Sequence, residues 1–429
     1  MKKWFSKLLL TSLSLGILVF PFSIKAEVLN DDFDLSRLKG LKLGYYIGSF
    51  DPIHLGHQHV IEKALKSEYV DYVLIYLAPG GDQFKNRTDL ALRQKMIASI
   101  YQEHPKVLLT YWTPKELQDK FTPLANDIDV VGIIGSDVVT ETLMGPDKEL
   151  SEKYRSVFMR GLPLKEKHYE DTVGALMALK ANSFLVALRG EIDLSHVDEK
   201  IYDRSIRAFI PSKDNSSTEV RNAIKNQKPF EQFLSFPVQA IIKQEGLYGL
   251  STNLNNALRD ELLAMQELDQ KARSKLLNIK TFSEELWKDV QEIDSKNGQK
   301  LKEIVSEYGW PGVSIIGLDG SSALWLLVQH QDQDVLFQKQ CLNLLKTAVQ
   351  EYEASPKSLA YLTDRVNMNE NQPQIYGTQW VQQDGKFLLY TVEDREHLDH
   401  RRAEMGLSAI EEYKKQIQAA YQLSDEDFK

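Results

Sequence analysis

The chain has 429 residues, 42% hydrophobic and 26% charged, with 23 Gly and 14 Pro. This is the composition of a globular protein long enough for two or three cores, and it excludes a disordered, collagenous or purely coiled-coil chain. With 52 basic against 61 acidic side chains the net charge is −9, the wrong sign for a surface that binds nucleic acid by releasing counterions, so no nucleic-acid partner is expected.

At the start, Lys2, Lys3 and Lys7 precede an apolar stretch from Leu8 to about Phe22, and Ala26 offers a small residue for cleavage. Residues 1–26 read as a signal peptide, because the run falls short of the ~20 apolar residues of a bilayer span. The mature protein is expected to be exported (periplasmic or secreted) and without a membrane contact. No cysteine stands near the cleavage point, which argues against a lipid-anchored product. The single cysteine, Cys341, cannot close an intramolecular disulfide, and in its apolar run it is expected to pack.

A strand expected at 42–47 runs straight into Gly48-Ser49-Phe50-Asp51-Pro52-Ile53-His54-Leu55-Gly56-His57, and a helical pattern follows through Val60, Ile61, Ala64 and Leu65. Later strand candidates at 72–77, 107–111, 130–134, 156–159, 184–188 and 206–210 alternate with helices. That rhythm predicts an α/β fold with a Rossmann-like, doubly wound parallel sheet, in which the first turn lies at the carboxyl end of the sheet where ligands bind.

The residue types of that turn suit a phosphate. Gly48 lets backbone N–H groups approach a ligand oxygen, and the helix starting near Gly56 adds its positive N-terminal end. His54 and His57, three residues apart across the helix start, face the turn as donors to the same anion, whereas His59 points elsewhere. The competing readings of these rings are a zinc pair or merely surface imidazoles. The zinc pair needs a third and a fourth ligand, and helix geometry aims His59 away.

The segment GSFDPIHLGH, residues 48–57, resembles the signature G-x-F-x-P-x-H-x-G-H of the nucleotidyltransferase superfamily, closest to nicotinate- or nicotinamide-mononucleotide adenylyltransferases. Further on, Ile134-Gly135-Ser136-Asp137 is similar to the family's G-x-D ribose motif, and Ser216-Ser217-Thr218-Glu219-Val220-Arg221 to its I-S-S-T-x-x-R motif. Ala78-Pro79 with Lys85, Arg93 and Met96 resembles the segment that carries a basic residue toward the phosphates. Residues 236–248 resemble the closing helix, so the likeness covers roughly 41–249.

The resemblance implies transfer of AMP from ATP to a mononucleotide or other phosphomonoester, with release of pyrophosphate. Mg²⁺ would bridge phosphate oxygens and be held largely by the nucleotide, with no protein metal ligand assigned. His54, His57 and Arg221 are then the catalytic residues, the imidazoles on the α- and β-phosphates and the guanidinium on the leaving pyrophosphate. Gly48, Ser49, Phe50, Lys85, Gly135, Asp137, Ser216, Ser217 and Thr218 are the nucleotide-binding set, with Asp137 at the ribose. The two serines and the threonine would also cap the helix that carries Arg221. Taken alone, SSTEVR reads equally as a capping sequence with a surface arginine. Trp112 offers either a stacking face for a pyridine ring or packing.

A polar stretch, STNLNN at 251–256, separates a domain at 40–250 from a second one at 256–425. There Leu258, Leu262, Leu263, Met265 and Leu268 make an amphipathic helix, and 284–308 makes another, ended by Gly309-Trp310-Pro311. Further helices are expected at 322–330, 334–352, 393–405 and 408–421, with short strands at 374–381 and 386–392, a mainly helical α+β module.

This part resembles a bacterial domain family of unestablished function through GWP (309–311), WLLVQH (325–330), AYLTDRV (360–366), YGTQ (376–379) and RRAEMGL (401–407). Gln329, His330, Asp364, Arg365, Tyr376, Thr378 and Gln379 are candidates to line a pocket. For His330 the stronger expectation is a hydrogen-bonded ring at the end of a buried helix, and Leu324, Leu327 and Val328 are expected in the core. The competing functional expectation is a nucleotide-binding sensor without turnover, joined to a C-terminal domain that carries the main activity.

Overall fold

The structure, a computed structural model, describes residues 27–78, 87–101, 104–135, 179, 181, 183–188, 206–212, 215–277, 283–383, 386–421 and 423–428. The expected leader at 1–26 and the expected strand at 156–159 lie outside the described residues. Two compact units are present. Among the described residues, one holds the chain from Glu27 to Val238 together with Leu247–Gly249, and the other holds Gln239–Gly246 and the chain from Leu250 onward.

In the first unit the order is β1 (Glu27–Leu29), β2 (Lys42–Gly48), α1 (Leu55–Lys66), β3 (Tyr72–Leu77), α2 (Leu90–Tyr101), β4 (Val107–Thr110), α3 (Pro114–Phe121), β5 (Asp129–Gly135), β6 (Ser183–Leu188), β7 (Ile206–Pro211), α4 (Ser217–Lys225) and α5 (Phe236–Glu245). All seven strands are parallel, in the order β1-β4-β3-β2-β5-β6-β7. Counted from β2, the six strands β2 to β7 follow the doubly wound Rossmann order, as expected, and β1 extends the sheet beyond β4.

Strands buried on both faces read as continuous apolar runs. In β3, Val73, Leu74 and Ile75 are all fully buried. β1 was not anticipated, since three residues are too short to show a period, yet Leu29 is 1% exposed and joins Leu38, Leu43, Leu74 and Leu108 in one apolar cluster. Gly132 in β5 is required by packing: a Cβ there would stand 2.5 Å from the Phe184 ring of the neighbouring β6. The order of the sheet reverses at β2, which pairs with β3 on one side and β5 on the other. The carboxyl ends of β2 and β5, at Gly48 and Gly135, therefore flank the switch point where open α/β sheets bind ligands.

The second unit contains α6 (Asn256–Leu277), α7 (Glu284–Tyr308), α8 (Val313–Gln329), α9 (Val335–Gln350), α10 (Pro356–Asn369), the antiparallel pair β8 (Trp380–Gln383) and β9 (Lys386–Leu389), α11 (Leu398–Glu404) and α12 (Ile410–Tyr421). Leu262, Leu301, Leu324, Leu326, Cys341, Leu345 and Leu362 are fully buried in its core. Gly309, with φ 68°, ends α7 as the GWP sequence predicts. The unit also takes Gln239–Gly246, so the boundary is not a single cut at 250. Lys243 Nζ donates to Tyr352 O at 3.1 Å and Glu353 Oε1 at 2.9 Å, fixing the end of α5 to this unit.

Four elements of the second unit differ from expectation. α8 begins at Val313 rather than 322, interrupted at Gly317 with φ 68°. α10 was not anticipated, although Ser355 followed by Pro356 is a helix-start signal. The strand expected at 374–381 shrinks to one beginning at Trp380, because the Asp364 carboxylate accepts from the N–H groups of Ile375 (2.7 Å), Tyr376 (3.0 Å) and Thr378 (2.9 Å) that a ladder would need. The helix expected from 393 starts at Leu398, since Asp394 holds a turn by accepting from the His397 N–H at 3.3 Å. Among the described residues no helix is long and apolar enough to cross a membrane.

Candidate active site

β2 ends at Gly48, and the chain turns through Ser49 and Phe50 into α1. Phe50 is 1% exposed and has φ 45°, a left-handed conformation uncommon for a residue with a side chain. A Cβ on Gly48 would stand 3.0 Å from the Phe50 ring, so glycine is what lets that ring fold under the turn. The ring then meets Tyr46 and His57 edge-on, with centroids 5.1 Å and 4.9 Å away. The Asp51–Pro52 peptide is cis.

The two histidines cap α1 reciprocally. His54 Nδ1 accepts from the N–H groups of Gly56 (3.1 Å) and His57 (3.4 Å), and His57 Nδ1 accepts from the His54 N–H (3.3 Å). The rings stack with centroids 3.6 Å apart, and the residues are 1% and 8% exposed. An Nδ1 that accepts leaves the ring proton on Nε2. The N–H groups of Gly56 and His57 are bonded to the His54 ring, so the helix end presents imidazole Nε2–H donors.

Arg221 comes from α4. Its Nη1 donates to Asp51 O at 2.6 Å and its Nη2 to Thr218 Oγ1 at 3.1 Å. The structure thus brings His54, His57 and Arg221 to one turn. Ser216 is the N-cap of α4, accepting from the Glu219 N–H at 3.1 Å while Glu219 Oε2 accepts from the Ser216 N–H at 2.8 Å. Ser217 Oγ donates to Pro52 O at 2.9 Å. The three hydroxyls of this motif brace α4, Arg221 and the turn.

Arg93 is also reassigned. It is fully buried, donating from Nε to Thr88 O (2.9 Å) and from Nη1 to Ser49 O (2.8 Å) and Ala78 O (2.9 Å), so it clamps the turn from below. Ser49 Oγ accepts from Arg87 Nε at 2.9 Å. Lys85 and Asp137 lie outside the described residues, and Gly135 is the last residue of β5. Trp112 packs against the apolar cluster of the sheet, with Lys120 Nζ 4.8 Å from its ring centre, which favours packing over a stacking face.

Three residues of the site escaped sequence reasoning. Asp51 stands at an unspecified position of the signature, yet it is 3% exposed and accepts from the Thr88 N–H at 3.0 Å and the Tyr248 hydroxyl at 2.6 Å. Burial and the Asp51 charge push the Tyr248 phenol far up, so it stays a donor. Arg87 sits beside Lys85 in the same basic stretch, the one signal that pointed to it.

In the second unit several of the motif residues bond to one another. Arg365 Nη1 donates to Gln379 Oε1 at 3.2 Å, Gln379 Nε2 to Thr378 Oγ1 at 3.0 Å, and Thr378 Oγ1 to Asp364 Oδ2 at 2.9 Å. His330 ends α8 buried, its Nδ1 3.0 Å from Asp269 Oδ1.

The doubly wound sheet carries a histidine-capped turn and an arginine at its switch point, and its sequence is similar to that of nucleotidyltransferases. Residues 45–223 match the family model described as Cytidylyltransferase-like, and residues 256–425 match a family of unknown function (DUF6624). A probable nicotinate-nucleotide adenylyltransferase of Clostridium tetani is 27% identical over 221 residues, covering 48% of this chain and 98% of that protein. One of Clostridium botulinum is 23% identical over 222 residues, with the same coverage. The solved structure of Plasmodium falciparum nicotinic acid mononucleotide adenylyltransferase complexed with NaAD aligns at 16% identity and a TM-score of 0.35, covering 49% of this chain and 98% of that one.

Proposed function

We propose that the first domain transfers AMP from ATP to a phosphomonoester, nicotinate or nicotinamide mononucleotide foremost, and releases pyrophosphate. The observation that carries this is the convergence of His54, His57 and Arg221 on one turn at the switch point, with both imidazoles held as Nε2–H donors. Of the two mononucleotides, the nicotinate form is the one in the names of the similar proteins.

In this reaction an acceptor phosphate oxygen forms a bond to the α-phosphorus of ATP as the bond to the β-phosphate oxygen breaks. No side chain forms a covalent intermediate, so the protein supplies position and donors. The imidazoles donate to the α- and β-phosphate oxygens, where charge builds up in the transition state. Arg221 donates to the departing pyrophosphate. Arg93 and Asp51 hold the turn and touch no substrate.

Among the described residues no group of three or more His, Cys, Asp or Glu could hold a metal ion. The Asp51 carboxylate is committed to Thr88 and Tyr248. In this function Mg²⁺ would accompany the triphosphate, neutralising part of its charge. The same proposal keeps residues 1–26 as an export signal, which the N-terminal residue of the product found outside the cell would test.

The direct experiment incubates the purified chain with ATP, Mg²⁺ and a panel of phosphomonoesters that includes both mononucleotides, following pyrophosphate. Acceptor-dependent release is the expected result. ATP binding with no release for any acceptor would leave a sensor, and no ATP binding would remove the nucleotide site altogether.

A further inference from the structure

We infer that Tyr248 is a positioning residue for this transfer, acting through Asp51 on the Arg221 guanidinium; the inference rests on the function proposed above. Tyr248 lies outside the turn and the two downstream motifs, 197 residues from Asp51 in the chain, yet its hydroxyl donates to Asp51 Oδ1 at 2.6 Å. The other carboxylate oxygen accepts from the Thr88 N–H at 3.0 Å. Held at both oxygens, the buried Asp51 side chain fixes its own residue, whose carbonyl oxygen receives Arg221 Nη1.

The geometry at Arg221 makes that carbonyl matter. A guanidinium has five N–H donors in a rigid plane. Two anchoring bonds, from Nη1 to Asp51 O and from Nη2 to Thr218 Oγ1, set the orientation of the plane and leave three donors for a leaving pyrophosphate. A shift of the Asp51 peptide therefore rotates the whole fork.

Backbone strain marks both ends of the same link. Phe50, next to Asp51, has φ 45°, and Tyr248 has φ 61°. Non-glycine residues persist in this region only where their surroundings over-determine them. Tyr248 belongs to Leu247–Gly249, which is part of the first unit although the chain on either side of it is assigned to the second. The support of the turn is thus completed by the short segment that leads into the C-terminal domain.

The test is a double-mutant cycle on the purified full chain with ATP, Mg²⁺ and the best acceptor, using Tyr248→Phe, Arg221→Ala and the pair. Tyr248→Phe should lower kcat about tenfold while the KM of the acceptor stays within about twofold. In the Arg221→Ala background the same change should cost less than about twofold, because the group it positions is gone. Equal losses in both backgrounds, or a change in KM alone, would overturn the inference while the transferase function stands. A wild-type chain that releases no pyrophosphate overturns the function and, with it, this role.

Thermal unfolding of each variant accompanies the kinetics. Should Tyr248→Phe not fold, Asp51→Asn takes its place, since an amide cannot accept from both Thr88 and Tyr248. It must show the same non-additivity with Arg221→Ala for the inference to survive.

Discussion

His54 and His57 cap each other across the first turn of α1, through bonds that run from backbone N–H groups to ring Nδ1 atoms. One pair of rings therefore starts the helix and presents two Nε2–H groups, and the two tasks are separable by substitution. Asparagine places a carbonyl oxygen where Nδ1 was and is a strong N-cap, but it has no counterpart of Nε2. His54→Asn should remain about 1 kcal/mol more stable than His54→Ala in urea unfolding. Both should lose turnover on the order of 10²-fold. If the asparagine variant turns over at the wild-type rate, the Nε2 donor has no part in the chemistry.

Arg93 carries a different expectation, because its guanidinium meets three backbone carbonyls and is fully buried. Arg93→Met leaves the oxygens of Ser49, Ala78 and Thr88 without this donor, a loss of about 3–5 kcal/mol. Arg93→Lys, able to reach fewer of them with one nitrogen, should lose less. Chemical denaturation of the two variants checks the order. A methionine variant as stable as the wild type would show that the clamp is not needed.

Arg93 also shows how far residue types alone lead. A basic residue after the second strand suggested a phosphate contact, but only burial distinguishes a ligand from a brace. The turn itself was legible because its glycine, its histidines and the strand and helix around it are contiguous in sequence. Arg221 was placed through a motif with a characteristic order of residues. The support of the turn was not legible: Asp51 and Tyr248 lie 197 residues apart and meet only through the fold. In the second unit the apolar periods located α7 to the residue, 284–308, as well as the buried stripe of α8. The strand expected at 374–381 failed because one buried carboxylate, Asp364, captures the backbone donors of that stretch, a contact that no period encodes.

Cys341 is the only thiol of the chain and is fully buried in α9. Burial pushes its thiol up to about 12, so at pH 8 it holds almost no thiolate, the form that reacts. The native protein should leave a chromogenic disulfide reagent unreacted over an hour, and one thiol per chain should appear in strong denaturant. Fast reaction of the native chain at pH 8 would mean that the core around α9 opens readily. With a single cysteine in the molecule, the rate of labelling reports on the second unit alone.

That label can follow the acid response of the second unit, which Asp269 should dominate. Burial alone would raise this carboxyl, but the His330 ring at 3.0 Å and Arg273, whose Nε donates to Asp269 Oδ1 at 3.0 Å, outweigh it and hold the group well below the usual carboxylate range. A carboxyl with a depressed native pKa binds its proton more readily in the unfolded chain. The stability it contributes is therefore complete above about pH 4 and is lost as the pH falls further. Urea midpoints read from Cys341 labelling, quenched and developed at a common pH, should drop steeply between pH 4 and pH 2, by on the order of 2 kcal/mol. Asp269→Asn should be less stable at pH 7, where Arg273 loses one of its two carboxylate partners and keeps Asp294, and should show a flatter decline across the acid range. An equal slope in the two proteins would assign the acid response to other carboxyls of this unit.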